Sequence, residues 1–424
     1  MAFFLALLVG AAIACSDILL NLAHETISAR TMDFGIDLQS TVEVVPRGTV
    51  MQELVVNHCE DCPDFGWSVK HGFVAFNMVG VNIATDGLNE AGLSAAWLYL
   101  YATKYPRANA SDPRPVITSL VSYFLGNFAT VDEVKAQVNN VQFAEFDPRL
   151  QTLFAPGAKE SKFPLHVAIH DAKGKSIVLE FLNGTLHVYD NPGGVMTNDP
   201  TFEKHLQQLA DHGDKPIPGT YSSSDRFIRL SLLNQHAATP FTPNTTYSRA
   251  TPEQAAVSTA LHLINTVAIQ TGDIAEGEAT QFTVVRDHGR RTIYFLANEN
   301  QLLRRLHFGD IDFGSPNSRR AIPVTFGDWF VDLTKVQQES SLRSIDLPPR
   351  SIVEQLLNGS TSPSQLAALA VAHAATSAPM IGFWGGLAVG FICAVALAVL
   401  VAYYMRPVPP SKRAAEYTLL PYQQ

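Results

Sequence analysis

The residues with the clearest chemical capacity lie near the start of the chain. Ala12-Ile13-Ala14 closes a short apolar segment, Phe3 to Ala14, and reads as a signal-peptidase site of the A-x-A kind. A cut after Ala14 leaves Cys15 first, so one residue then carries a thiol and a free α-amine. Their reference pKa values, about 8.5 and about 7.7–8.0, make proton transfer between them easy near neutral pH. Arg30 and Asp33 follow within Ala29-Arg30-Thr31-Met32-Asp33-Phe34. A guanidinium beside a thiol lowers its pKa, and a carboxylate orients an amine. Placed at a strand start, both are expected to face the nucleophile; the plainer reading is a surface ion pair. Cys15 itself has plainer readings: an apolar residue ending a leader, or a lipoprotein acylation site, although Ala12 stands where Leu is usual. Val9-Gly10-Ala11 also meets the small-residue rule, so the cut has a second candidate position.

Other reactive side chains offer less. Cys59-Glu-Asp-Cys62 is a C-x-x-C pair without the second pair a zinc site needs, and it lacks a thioredoxin-like context. In an oxidising lumen it reads as a local disulfide bracing a loop. No histidine lies in a triad motif; His24, His71, His166 and His170 read as structural or surface residues. With a net charge of −9 and no basic stretch among 424 residues, nucleic acid is excluded as a partner. Neither a metal nor a cofactor is expected.

The elements that must position these groups fall in two strand blocks around a helical block, an α+β layered fold. Strands are expected at 16–22, 41–45, 73–77, 93–100, 165–170, 281–286 and 292–297. A hairpin at 176–182 and 186–189 turns on Asn183-Gly184. Helices are expected at 116–128, 131–139, 201–209, 225–234 and 251–269, the last opened by Thr251-Pro-Glu.

Five segments in order carry a family resemblance. Cys15 is followed by Ala29-Arg30-Thr-Met-Asp33-Phe, then Asp86-Gly-Leu-Asn89-Glu-Ala-Gly-Leu93 and Val195-Met-Thr-Asn198-Asp-Pro200. Next come Ile217-Pro-Gly219-Thr-Tyr-Ser-Ser-Ser-Asp-Arg226-Phe-Ile-Arg and the strand around Gln281-Phe-Thr-Val-Val. Over roughly residues 15–325 the chain resembles the choloylglycine hydrolases, the N-terminal nucleophile family of penicillin V acylases and bile salt hydrolases. The resemblance implies a four-layer αββα sandwich over 15–326 and a cysteine hydrolase of linear amide bonds acting on a small N-acyl amide. It implies Cys15 as nucleophile with its α-amine as base, Arg30 on the thiolate and Asp33 hydrogen-bonded to the amine. It further implies Asn198 as a side-chain oxyanion donor, the backbone N–H of Tyr99 as the other, and Arg226 fixing the network. Tyr99 stands where bile salt hydrolases usually carry Asn, which leans to the acylase side. Thr220 replaces the family's aspartate, and the stretch from Asn198 to Arg226 is shorter than in bile salt hydrolases.

The C-terminal quarter reads differently. Residues 327–379 form a stalk, and Met380 to Met405 is uncharged and long enough to span a bilayer. Trp384, Tyr403 and Tyr404 lie near its ends, and Arg406, Lys412 and Arg413 place tail 406–424 in the cytoplasm. With leader 1–14, this is a type I membrane protein of the secretory or endolysosomal system or cell surface. The sequons at Asn109, Asn183, Asn244 and Asn358 fit a luminal domain. Tyr417-Thr-Leu-Leu420 fits a sorting motif read by a clathrin adaptor. The rival reading is a non-catalytic type I receptor or cargo protein on the same fold; a variant of the leading one shifts the substrate to N-acyl lipid amides.

Overall fold

A computed structural model describes residues 15–20, 22, 25–53, 59, 62, 65–78, 83–145, 163–237, 251–272 and 278–332. Leader 1–14, the expected span 380–405, Tyr417, Leu420, Asn244 and Asn358 lie outside these residues. No helix among the described residues is long and apolar enough to cross a membrane.

The strands are β1 (Cys15–Leu19), β2 (Ile27–Phe34), β3 (Thr41–Val45), β4 (Val50–Gln52), β5 (Gly66–Ser68) and β6 (Phe73–Asn77). They continue with β7 (Ala84–Asn89), β8 (Ser94–Tyr99), β9 (Val116–Ile117), β10 (Gln142–Phe143), β11 (Leu165–His170) and β12 (Ser176–Leu182). The last are β13 (Thr185–Asp190), β14 (Val195–Met196), β15 (Ala279–Asp287), β16 (Thr292–Ala297), β17 (Arg304–His307) and β18 (Arg320–Pro323). One sheet runs β14-β1-β2-β15-β16-β17; the other runs β13-β12-β11-β8-β7-β6-β3-β18. Both strand faces are buried over most of β2, β6, β7, β8 and β11, as expected for sheets in the middle of a stack.

The helices are α1 (Leu120–Asn127), α2 (Val131–Gln137), α3 (Phe202–His212), α4 (Ser223–Ala237) and α5 (Pro252–Ile264). Helix α1 packs on β6, β7 and β8; α4 and α5 pack on β1 and its neighbours. Between the sheets Phe76 stacks on Phe282 at 5.0 Å and meets Phe295 edge-on at 5.6 Å. The result is the expected αββα order.

Several boundaries shift for local reasons. The helix expected at 116–128 starts at 120, because Val116 and Ile117, after Pro115, pair as β9 with β10. The helix expected from 251 ends at 264, with Thr251 and Gln254 forming its capping box. Strand β7 is missing from the sequence reading: Asp86, Gly87 and Asn89 are poor strand formers, and their burial supplies what propensity lacks.

Candidate active site

Strand pairing brings the site together. Cys15 opens β1 opposite Met32 of β2, and Asp17 pairs with Arg30. On the other edge Asp17 pairs with Met196 of β14, and the chain just past β14 carries Asn198 to Cys15. The Cys15 nitrogen donates to Asn198 Oδ1 at 2.6 Å. From α4, Arg226 donates to the Cys15 carbonyl at 2.7 Å, to Ser16 Oγ at 2.6 Å and to Asn198 Oδ1 at 2.9 Å.

Arg30 and Asp33 do not share a face. Side chains alternate along a strand, so positions three apart point oppositely. Arg30 lies on the inter-sheet face with Cys15, its Nη2 3.6 Å from Sγ and 2.7 Å from the Trp97 carbonyl. Asp33 lies on the helix face with Thr31, which donates to Oδ2 at 3.1 Å, while Thr280 donates to Oδ1 at 2.5 Å. The two residues expected to face the nucleophile therefore lie on opposite faces of β2. Arg30 approaches the sulfur, and Asp33 sits on the other side of the strand, toward Arg226.

The oxyanion candidates meet where β8 loses a neighbour. Pairing of β7 with β8 ends at Asp86↔Ala96, whereas β11 stays paired to Tyr99. Leu100 N–H donates to Pro164 on the β11 side, so by alternation the Tyr99 N–H points to the vacated edge. There Asn198 Nδ2 donates to the Tyr99 carbonyl at 3.0 Å. Asn198 is itself held by Ser223 Oγ on its N–H and His205 Nε2 at its carbonyl, at 2.9 and 3.0 Å. Burial pushes the His205 pKa down to about 4, so its ring is neutral.

Burial dominates the electrostatics. Cys15 is fully buried, which pushes its thiol up to about 11 against the pull of Arg30 and Arg226. Asp33 is likewise raised to about 6 by burial, opposed by Arg226, the two threonines and Arg30. Arg226 is lowered by burial.

The remaining expected residues sit away from this cluster. Cys59 and Cys62 form a disulfide. Asn109 is exposed in a loop, and Asn183 is exposed in the β12–β13 turn at φ 53°. Of the histidines, His166 and His170 are buried, with Nδ1 of the first hydrogen-bonded to Glu180 and Nε2 of the second to Asp17. Sequence reasoning missed Thr31, Thr280, Ser223 and His205, whose signal is only tertiary. It also gave no role to Asp17 and Arg286, although charged residues at inward positions of apolar strands are visible without coordinates.

Residues 15–214 and 210–318 match the family of linear amide C–N hydrolases, choloylglycine hydrolase family. The penicillin V acylase of Pectobacterium atrosepticum is 29% identical over 288 residues, which span 63% of this chain and 73% of that protein. A bile salt hydrolase/transferase of Bifidobacterium longum is 27% identical over 326 residues, or 68% and 93% of the two chains. The solved penicillin V acylase of Agrobacterium tumefaciens superposes with a TM-score of 0.59 at 25% identity, covering 72% and 90%.

Proposed function

The chain belongs to the choloylglycine hydrolase family and is a hydrolase of C–N bonds in linear amides, and from that premise we propose that it works by acyl transfer through a thioester on Cys15. The observation that carries this reading is the convergence on one residue: Arg30 at its sulfur, Asn198 at its nitrogen and Arg226 at its carbonyl.

With Ala14 attached, the Cys15 nitrogen is an amide and has no basicity. A cut after Ala14 turns it into an amine with a reference pKa of about 7.7–8.0. The amine takes the thiol proton, and the thiolate, held by Arg30, attacks the substrate carbonyl carbon. The Asn198 Nδ2 and Tyr99 N–H groups receive the developing oxyanion. As the C–N bond breaks, the α-ammonium gives its proton to the leaving amine, leaving an acyl-thioester. Water, deprotonated by the α-amine, then attacks the thioester; the acid departs and the thiol is restored. Asp33 accepts a hydrogen bond from the amine in its charged form.

The acyl half is apolar or aromatic; the acylase-like Tyr99 favours this class. We also infer a type I membrane protein with its catalytic domain in the lumen, supported by the uncharged run 380–405 and the exposed sequons Asn109 and Asn183. Mass spectrometry of the purified protein is expected to find Cys15 as first residue. Cys15→Ala is expected to abolish turnover of a panel holding penicillin V, conjugated bile salts, acyl-homoserine lactones and N-acylethanolamines. An active protein with another N-terminus, or an active Cys15→Ala, overturns the reading.

A further inference from the structure

Arg30 is also held, through Nη1, by a set of buried charged groups beyond the sulfur. Between the sheets, shut off from solvent, runs a line of alternating charge: Arg30, Asp86, Arg286 and Asp17, ending on His170. Arg30 Nη1 lies 3.5 Å from Asp86 Oδ2, and Asp86 Oδ1 lies 3.6 Å from Arg286 Nη1. Arg286 Nη2 donates to Asp17 Oδ2, and His170 bridges Asp17 Oδ1 to Ser176 Oγ.

Register explains the line. Cys15 and Asp17 of β1 lie across from Met32 and Arg30 of β2, and Arg30 lies across from Val284 of β15. Arg286, two residues on from Val284, therefore shares the inner face with Arg30 and Cys15. Asp86 and His170 project from the facing sheet, where Asp86 pairs with Ala96 and His170 with Ser94.

The contacts divide into firm and adjustable ones. Arg286 on Asp17 is a charge-assisted hydrogen bond, and with His170 it holds Asp17 well below the usual carboxylate range despite burial. Asp86 meets both guanidinium groups only at ion-pair distance, and burial raises its pKa against their pull. Arg30 spends Nη2 on the Trp97 carbonyl and the sulfur, so Asp86 is the carboxylate that fixes its other arm.

We propose that Asp86 and Arg286 are positioning residues for the amide hydrolysis: Arg286, anchored on Asp17, holds Asp86, and Asp86 aims Arg30 at the Cys15 sulfur. The inference rests on Cys15 being the nucleophile, as proposed above. It has a sign that bare electrostatics does not share. Removing the Asp86 charge takes an anion away from the thiolate and by Coulomb's law alone lowers the thiol pKa. If Asp86 aims Arg30, the same change releases the guanidinium and raises it.

The experiment is the pH dependence of iodoacetamide alkylation at Cys15, read by peptide mass spectrometry on the processed protein, alongside kcat/KM. Asp86→Asn is expected to move the alkylation midpoint up by about one pH unit and to lower kcat/KM about tenfold, with KM little changed. In an Arg30→Lys background, Asp86→Asn is expected to add almost nothing. Arg286→Lys, which keeps a cation but loses the fork, is expected to act in the same direction by about threefold. Glu180→Gln, a buried carboxylate outside the line, controls for lost stability and is expected to leave the midpoint in place. An unchanged or lowered midpoint in a folded Asp86→Asn overturns the proposal. Should that variant not fold, an Arg286→Lys indistinguishable from the parent overturns it equally. A parent whose Cys15 stays unlabelled while it turns over substrate overturns the proposed function itself, and this line of positioning with it.

Discussion

At the scale of single residues, the site is built from groups that burial makes reluctant to ionise. Asp33 shows the cost. Its carboxyl is raised from 3.8 to about 6, so the folded chain binds the proton more tightly than the unfolded one. The stability this gives is full below about pH 4 and is lost as pH rises through about 6, leaving a buried carboxylate at neutral pH. Asp33→Asn in the chain that retains residues 1–14 is therefore expected to gain on the order of 2–3 kcal/mol at pH 7.5 and nothing below pH 4, by urea unfolding at both pH values. The same variant is expected to be inactive once processed, since the amide cannot balance an α-ammonium. A loss of stability at pH 7.5 would falsify the burial account. Asn198 bears the opposite kind of demand: its Oδ1 accepts from Cys15 and Arg226 while its Nδ2 donates at Tyr99. Asn198→Ala is expected to lower kcat by about 10²–10³, the range for one oxyanion donor; a fall below tenfold in steady-state kinetics would remove it from that role.

At the scale of elements, β7 concentrates what sequence reading saw and what it missed. Asp86-Gly-Leu-Asn89 was legible as a motif but not as a strand. Asn89 explains itself only in three dimensions: it donates to the carbonyls of Leu125 and Phe128 at the end of α1 and accepts from Ala91 and Leu93. Gly87 is there for room. A β-carbon would stand 2.5 Å from Leu125 Cδ1 and 2.6 Å from the Val74 carbonyl, the second being backbone that cannot swing away. Gly87→Ala is expected to cost about 1–3 kcal/mol in denaturant unfolding, as overpacked cores do; a cost below 0.5 kcal/mol would show that α1 slides freely on the sheet. Strands with mostly apolar β-branched, aromatic and leucine side chains, such as Ser176–Leu182 and Thr292–Ala297, matched their expected bounds, because local propensity and burial agree there. The opposite placement of Arg30 and Asp33 was also available from the two-residue period, once both were put on one strand rather than at its start. Thr280 and Ser223 were not, because they reach Asp33 and Asn198 from elements far away in the chain.

At the scale of the whole molecule, the two sheets do different work. The six-stranded sheet carries Cys15, Arg30 and Asp33, while the eight-stranded sheet brings Tyr99 and Asp86 against them. Asn198 and Arg226 close the site from the loop after β14 and from α4. Each of these groups lies between residues 15 and 226, and the family match ends at 318, ahead of the expected stalk and span. The chemistry we propose thus draws on residues ahead of the C-terminal quarter, for which we propose a role in placement. A chain ending at residue 332 is expected to keep kcat/KM for a water-soluble amide within about twofold of the full chain, a difference of roughly 0.4 kcal/mol in transition-state stabilisation. On the membrane anchoring proposed above, the same truncation is expected to raise KM for an N-acyl lipid presented in vesicles, because an anchored chain would meet that substrate in the plane of the bilayer. Steady-state kinetics on both substrate forms separates the outcomes. A tenfold loss on the soluble amide, in a truncated protein that still unfolds cooperatively, would put a working part of the site beyond residue 332.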